Sequence, residues 1–145
     1  MLWHIQDGGL DGMKDRNPEA VVIMIGTNNR GAPANEGRDT AQGVLAILKE
    51  VHHGLPASKI LLLAIFPRDW TPEDEGRIRN DQVNRILKTY ADNKTVYWLD
   101  LKETFLGKDG MLRKDLMPDA LHPSVEGYHE WAKAMEPMLT TLLGK

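Results

Sequence analysis

The chain has 145 residues, a net charge of −3, 41% hydrophobic and 27% charged residues, the size and balance of a single soluble globular domain over 1–145. The charge leaves no basic footprint for nucleic acid, and the absence of cysteine excludes thiol nucleophiles, zinc thiolate sites and disulfides. No stretch approaches the ~18 apolar residues that cross a bilayer, and the first residues lack the basic flank and apolar core of a signal peptide, so the default expectation is a soluble, cytoplasmic protein.

After an opening helical segment and the loop signal RNPE, AVVIMIG (Ala20–Gly26) reads as the first strand. From Glu36 to Val51 a helix follows, with Ala41, Val44, Leu45, Leu48 and Val51 at helical spacing. His52 and His53 supply cations at its carboxyl end, and Gly54 and Pro56 stop it. KILLLAIF (Lys59–Phe66) is the second strand and ends at Pro67. The next helix spans Pro72–Ala91, with Ile78, Val83, Ile86, Leu87 and Tyr90 as its apolar stripe. Thr71 is its expected N-cap and Pro72 its first helical position. TVYWLDL (Thr95–Leu101) is the third strand, after the turn signal DNK. A last helix, Val125–Leu143, places Val125, Tyr128, Ala132, Met135, Leu139 and Leu142 on one side, with an expected interruption and kink at Pro137. Continuous apolar strands alternating with helices predict an α/β class: a three-layer α/β/α arrangement on a parallel sheet. Its binding crevice is expected at the carboxyl ends of the strands.

Two motifs could carry chemistry there. GTNN (Gly26–Asn29) closes the first strand, and an asparagine carboxamide can donate to developing negative charge. Gly, Thr and Asn also favour plain turns. DALHPS (Asp119–Ser124) sets a carboxylate three residues before an imidazole, a spacing that lets Asp119 fix the tautomer of His122. A solvated loop with an incidental histidine is the competing interpretation. Ser58 and Ser124 are the only serines. Ser58 precedes a strand, at the wrong end of a parallel sheet, and Ser124 reads as the N-cap of the last helix. No nucleophile is therefore found, and no histidine spacing suggests a metal site. Arg68, in FPRDW after the second strand, is a candidate pocket residue with Gly26, Thr27 and Asn29. The four tryptophans read as core or pocket wall.

Together, GTNN after one strand and DALHPS before the last helix resemble the SGNH (GDSL-type) hydrolases. LWHIQDGGLDG, PEAVVIMIGTNN, AIFPR and RNDQVNRIL are similar in order and spacing to the platelet-activating-factor acetylhydrolase catalytic-subunit-like branch. The resemblance implies a flavodoxin-like five-stranded parallel sheet, here reduced to about three strands. It implies Asn28 as the oxyanion-hole asparagine and Asp119 and His122 as acid and base, with no cofactor and a short-chain acyl or acetyl ester as substrate. The family's G-D-S serine block and the glycine after its second strand have no match.

Losing the nucleophile of such a triad costs on the order of 10⁶ in turnover, so this chain alone is expected to be inactive or very weak. A non-catalytic binding or assembly module on the same scaffold is the alternative, and a hydrolase in which Asp119 and His122 activate water is a third. The strand at Val21–Ile25, central in the family, would here lose a neighbour, so self-association through that edge is expected.

Overall fold

The computed structural model describes residues 1–29 and 37–144. Three strands, β1 (Ala20–Ile23), β2 (Lys59–Leu63) and β3 (Val96–Leu99), form a parallel sheet in the order β1-β2-β3. β2 is central, and Ile60, Leu61, Leu62 and Leu63 are each at most 1% exposed. That double-sided burial is why its sequence is continuously apolar rather than alternating. In register, Val22 pairs with Leu61 and Leu61 with Tyr97.

The pleat separates two layers. Ile60 and Leu62 pack with α3 (Arg38–Gly54) and α4 (Glu75–Leu87) on one face. Leu61 and Leu63 pack with α6 (Val125–Leu142) on the other, through Trp131, Met135, Met138, Leu139 and Leu142. The short helices α1 (Leu2–His4) and α2 (Asp11–Lys14), with a π-type turn between them, precede β1, and α5 (Lys102–Phe105) follows β3. Phe105 anchors α5 in a second core with Phe66, Leu116 and Met117. Among the described residues no helix is long and apolar enough to cross a membrane.

The helix layers differ from the expected stripes in instructive ways. On α3 the buried apolar set is Ala41, Val44, Ile47, Leu48 and Val51, joined by Thr40, with Leu45 only half-buried. The expected start at Glu36 lies outside the described residues. α4 begins at Glu75, not Pro72, and its N-cap is Asp74, not Thr71. The Asp74 carboxylate accepts from the Thr71 N–H at 2.8 Å, closing a tight turn before the helix. Ile78 is 45% exposed. The buried positions of α4 are Arg77, Asn80, Val83 and Leu87, so half of the stripe is polar. On α6, Met135, Leu139 and Leu142 face inward as expected, whereas Val125, Tyr128 and Ala132 are exposed and Trp131 and Ala134 face inward in their place. α6 runs unbroken through Pro137, so the expected interruption is absent. Proline forfeits one intrahelical donor there, and the Thr141 hydroxyl binds the Pro137 carbonyl at 2.9 Å.

The strands stop short of their apolar runs. β1 ends at Ile23 rather than Gly26, and β2 at Leu63 rather than Phe66. Beyond β2 the Ala64 N–H still reaches Leu99 O. At Ile65 the main chain is satisfied by a side chain: Asn84 accepts from the N–H and donates to the carbonyl, both at 2.8 Å. A carboxamide on α4 thus replaces a strand neighbour. β1 lies at the sheet edge and pairs only with β2 among the described residues. On its α6 side, Val22 is 40% and Met24 36% exposed.

Candidate active site

The carboxyl ends of β1 and β2 and the loop before α6 surround one cleft of about 290 Å³. Its polar lining is Thr27, Asn28, Arg68 and His122, and Ile65, Phe66, Tyr128 and Trp131 form apolar walls. The crevice therefore lies where a parallel sheet places ligands.

DALHPS forms a self-contained turn. Asp119 Oδ1 accepts from the main-chain N–H of His122 at 2.7 Å and of Leu121 at 3.0 Å. Its Oδ2 lies 2.6 Å from His122 Nδ1. Those bonds, first the His122 N–H and then its ring, hold the Asp119 carboxyl down at about 2, below the usual 3.8. The ionised carboxylate can only accept, so Nδ1 is the donor and Nε2 is left to take a proton. No described residue binds Nε2. The pair sits at the rim, with the His122 side chain 72% exposed. Ala120, between Asp119 and His122, has φ 62°, the left-handed region that alanine adopts at a cost. Its carbonyl accepts from Asp69 N–H at 2.9 Å, which ties this loop to the segment after β2.

Neither serine is placed to attack. Ser124 Oγ accepts from Gly127 N–H at 3.1 Å and donates to Asp115 O at 2.8 Å, the geometry of an N-cap. Ser58 is 4% exposed, and its hydroxyl donates to Pro18 O at the far end of the strands.

GTNN is a turn gripped from three sides. Asn29 N–H bonds Gly26 O at 2.9 Å. Arg68 Nη1 donates to Thr27 O at 2.8 Å, and Asn80 Nδ2 donates to Thr27 Oγ1 at 3.2 Å. Gly26 has φ 124°, and a Cβ there would meet Ile65 Cδ1 at 2.9 Å and Thr40 Cγ2 at 3.0 Å. Of the sequence candidates, Thr27, Asn28, Arg68 and His122 line the cleft. Gly26 packs beneath it, and Asn29 turns away to donate to Thr40 Oγ1 at 3.0 Å. Motif reading missed the polar stripe of α4. Arg77, Asn80 and Asn84 share one face at helical spacing and grip the chain after β2. Asn80 and Asn84 lie in RNDQVNRIL, which the family resemblance marks without a role, and their other signal is asparagine in a helix interior, where it is a poor former.

The model of the GDSL-like lipase/acylhydrolase family matches residues 3–130. The chain belongs to that family. It is similar to platelet-activating factor acetylhydrolase IB subunit alpha1 of Homo sapiens, 30% identical over 146 residues, covering all of this chain and 60% of the relative. Subunit alpha2 of Rattus norvegicus is 31% identical over 144 residues, covering 99% of this chain and 60% of the relative. The chain thus spans about 60% of the length of these relatives. Among solved structures, a carbohydrate esterase family 3 protein of Talaromyces cellulolyticus superposes with a TM-score of 0.71 at 19% identity, over 99% of this chain and 68% of that one. A catalytic mutant of an acetylxylan esterase of Geobacillus stearothermophilus gives 0.67 at 21% identity, again over 99% and 68%. The fold of this GDSL-like chain is the α/β fold of the SGNH esterases.

Proposed function

We propose that the chain carries the acid, base and oxyanion side of an acyl-ester hydrolase site, with a serine nucleophile supplied by residues outside these 145. The observation that carries this reading is the 2.6 Å contact of Asp119 with His122 Nδ1, on a cleft that Asn28 also lines. In this mechanism His122 Nε2 takes the proton of the attacking hydroxyl and returns it to the leaving alcohol. Asp119 holds the tautomer and stabilises the imidazolium. Asn28 donates to the oxygen of the tetrahedral intermediate, a contribution of about 3–4 kcal/mol for one well-aimed donor. The apolar walls suit a short acyl group. No step calls for a metal or an organic cofactor.

The test is hydrolysis of p-nitrophenyl acetate by the parent chain and by His122→Ala. Each is assayed alone and with the unmatched portion of the human alpha1 subunit supplied as a separate polypeptide. Turnover that depends on His122 supports the reading. Equal rates for both chains in both mixtures overturn it and favour the non-catalytic module.

We also propose that β1 pairs with β1 of a second copy. Support comes from its unpaired edge among the described residues and from the exposure of Val22 and Met24 beside it. Val22→Lys should convert a dimer to a monomer in analytical ultracentrifugation, and a monomeric parent chain refutes the pairing.

A further inference from the structure

We propose that Arg68 is a positioning residue for Asn28: its guanidinium holds the carbonyl end of the carboxamide and so leaves the N–H₂ end for a bound oxygen. This rests on reading Asn28 as the oxyanion donor and names what aims it. A carboxamide is nearly symmetric in shape, and its two ends do opposite chemistry: only Nδ2 can stabilise an oxyanion. Without a partner, rotation about χ2 would present Oδ1 to the substrate as readily as Nδ2.

Arg68 breaks that symmetry. A guanidinium has donors and no acceptor. Nη1 donates to Thr27 O at 2.8 Å and lies 3.5 Å from Asn28 Oδ1. The second contact is long, so its weight is that of a cation attracting the negative end of the amide dipole. Asn28 itself is exposed, and the Arg68 side chain, only 14% exposed, brings the cation to it from the buried side. The neighbouring asparagine is held the other way round. Asn29 gives its Nδ2 to the neutral Thr40 hydroxyl, so of two adjacent carboxamides the one beside the cation is fixed by its oxygen.

Arg68 can act as an anchor because it is anchored. Buried Arg77 grips its main chain, with Nε donating to Arg68 O and Nη2 to Asp69 O, both at 3.1 Å. The Asp69 carboxylate lies 3.6 Å from Arg68 Nε. Gly76 makes the path: a Cβ there would meet Arg68 Cδ and Nε at 3.0 Å and Asp69 Oδ2 at 2.1 Å.

The test reads the Asn28 side-chain amide directly, by ¹H–¹⁵N relaxation of the full chain. On the scale set by the backbone, where a rigid N–H has an order parameter near 0.85 and a flexible one falls below about 0.6, a held carboxamide lies toward the first and a free one in the second. Arg68→Ala should drop the Asn28 amide from the first range to the second, while the Asn80 and Asn84 amides keep theirs. Added guanidinium ion should restore Asn28 in that variant. A merely structural Arg68 would loosen all three amides together, with no rescue, and that result overturns the proposal. So does an unchanged Asn28. Should Arg68→Ala lose its folded spectrum, Arg68→Met carries the test. Methionine keeps most of the side-chain length and has neither charge nor donor, so Asn28 alone should loosen, and a rigid Asn28 in Arg68→Met refutes the idea. The readout needs no turnover. Loss of the esterase reading would show as hydrolysis independent of His122 with this coupling intact.

Discussion

Asn84→Leu tests the claim that a side chain completes the sheet. Asn84 serves both the N–H and the carbonyl of Ile65, each at 2.8 Å, and Ile65 is 3% exposed. Leucine matches the volume and cannot replace either bond. Each buried main-chain group left without a partner costs about 1–3 kcal/mol, so the pair costs about 2–6 kcal/mol. A domain of this size has a total stability of about 5–15 kcal/mol, so the loss is a large share of it. At about 2–4 °C per kcal/mol, Tm should fall by roughly 5–20 °C in a thermal scan. Asn29→Ala is the control. Its single bond to Thr40 lies on an exposed residue and should cost about 1 kcal/mol or less. If Asn84→Leu lowers Tm no more than Asn29→Ala, then Ile65 has other partners and the helix does not complete the strand.

Two further predictions concern the loop before α6. The Asp119 carboxyl, held at about 2 against an ordinary 3.8, favours the folded state while ionised. Its contribution is therefore complete above about pH 4 and is lost as pH falls toward 2. A ¹³C carboxyl titration should show this, and His122→Ala should raise the Asp119 pKa only part-way, because the main-chain donors remain. Titration of the parent Asp119 at its ordinary value contradicts the geometry. Ser124→Ala should cost about 1 kcal/mol through loss of the cap, a fall of a few degrees in Tm. It should leave any His122-dependent hydrolysis unchanged, and abolished hydrolysis would make Ser124 a nucleophile rather than a cap.

The strands were legible because burial on both faces leaves a continuous apolar run, and β2 has one. Their carboxyl ends were not, because composition does not say where hydrogen bonding passes from strand to side chain. Ile65 is as apolar as Leu62 and differs only in its partner. The α4 stripe was misread for a related reason. Ile78 looks interior and is exposed, whereas Arg77 looks exterior and is 3% exposed. A periodicity rule assumes that buried means apolar, and it fails where a helix must satisfy bare main chain rather than fill a core. The Asp119–His122 pair was legible because its geometry is local, closed within four residues by one turn. Nothing in the sequence announces the left-handed Ala120 that makes this turn.

The two walls of the cleft are thus held by devices of different kinds, and this decides how each responds to damage. Asp119 and His122 are fixed by bonds within their own loop, so their geometry depends little on the sheet. Asn28 is placed by Arg68, Arg68 by Arg77, and the strand end beneath them by Asn80 and Asn84, a chain that runs back to one face of α4. The main-chain bond from Asp69 N–H to Ala120 O joins the two systems. In the proposed mechanism, proton transfer needs only the first device, whereas stabilising an oxyanion needs both in register. Loosening α4 should therefore spare the Asp119–His122 contact and misplace Asn28. Under the proposed function, a nucleophile arriving from outside these residues would find its base already set, and the fit of the oxyanion side would depend on the polar face of α4, a helix that does not itself line the cleft.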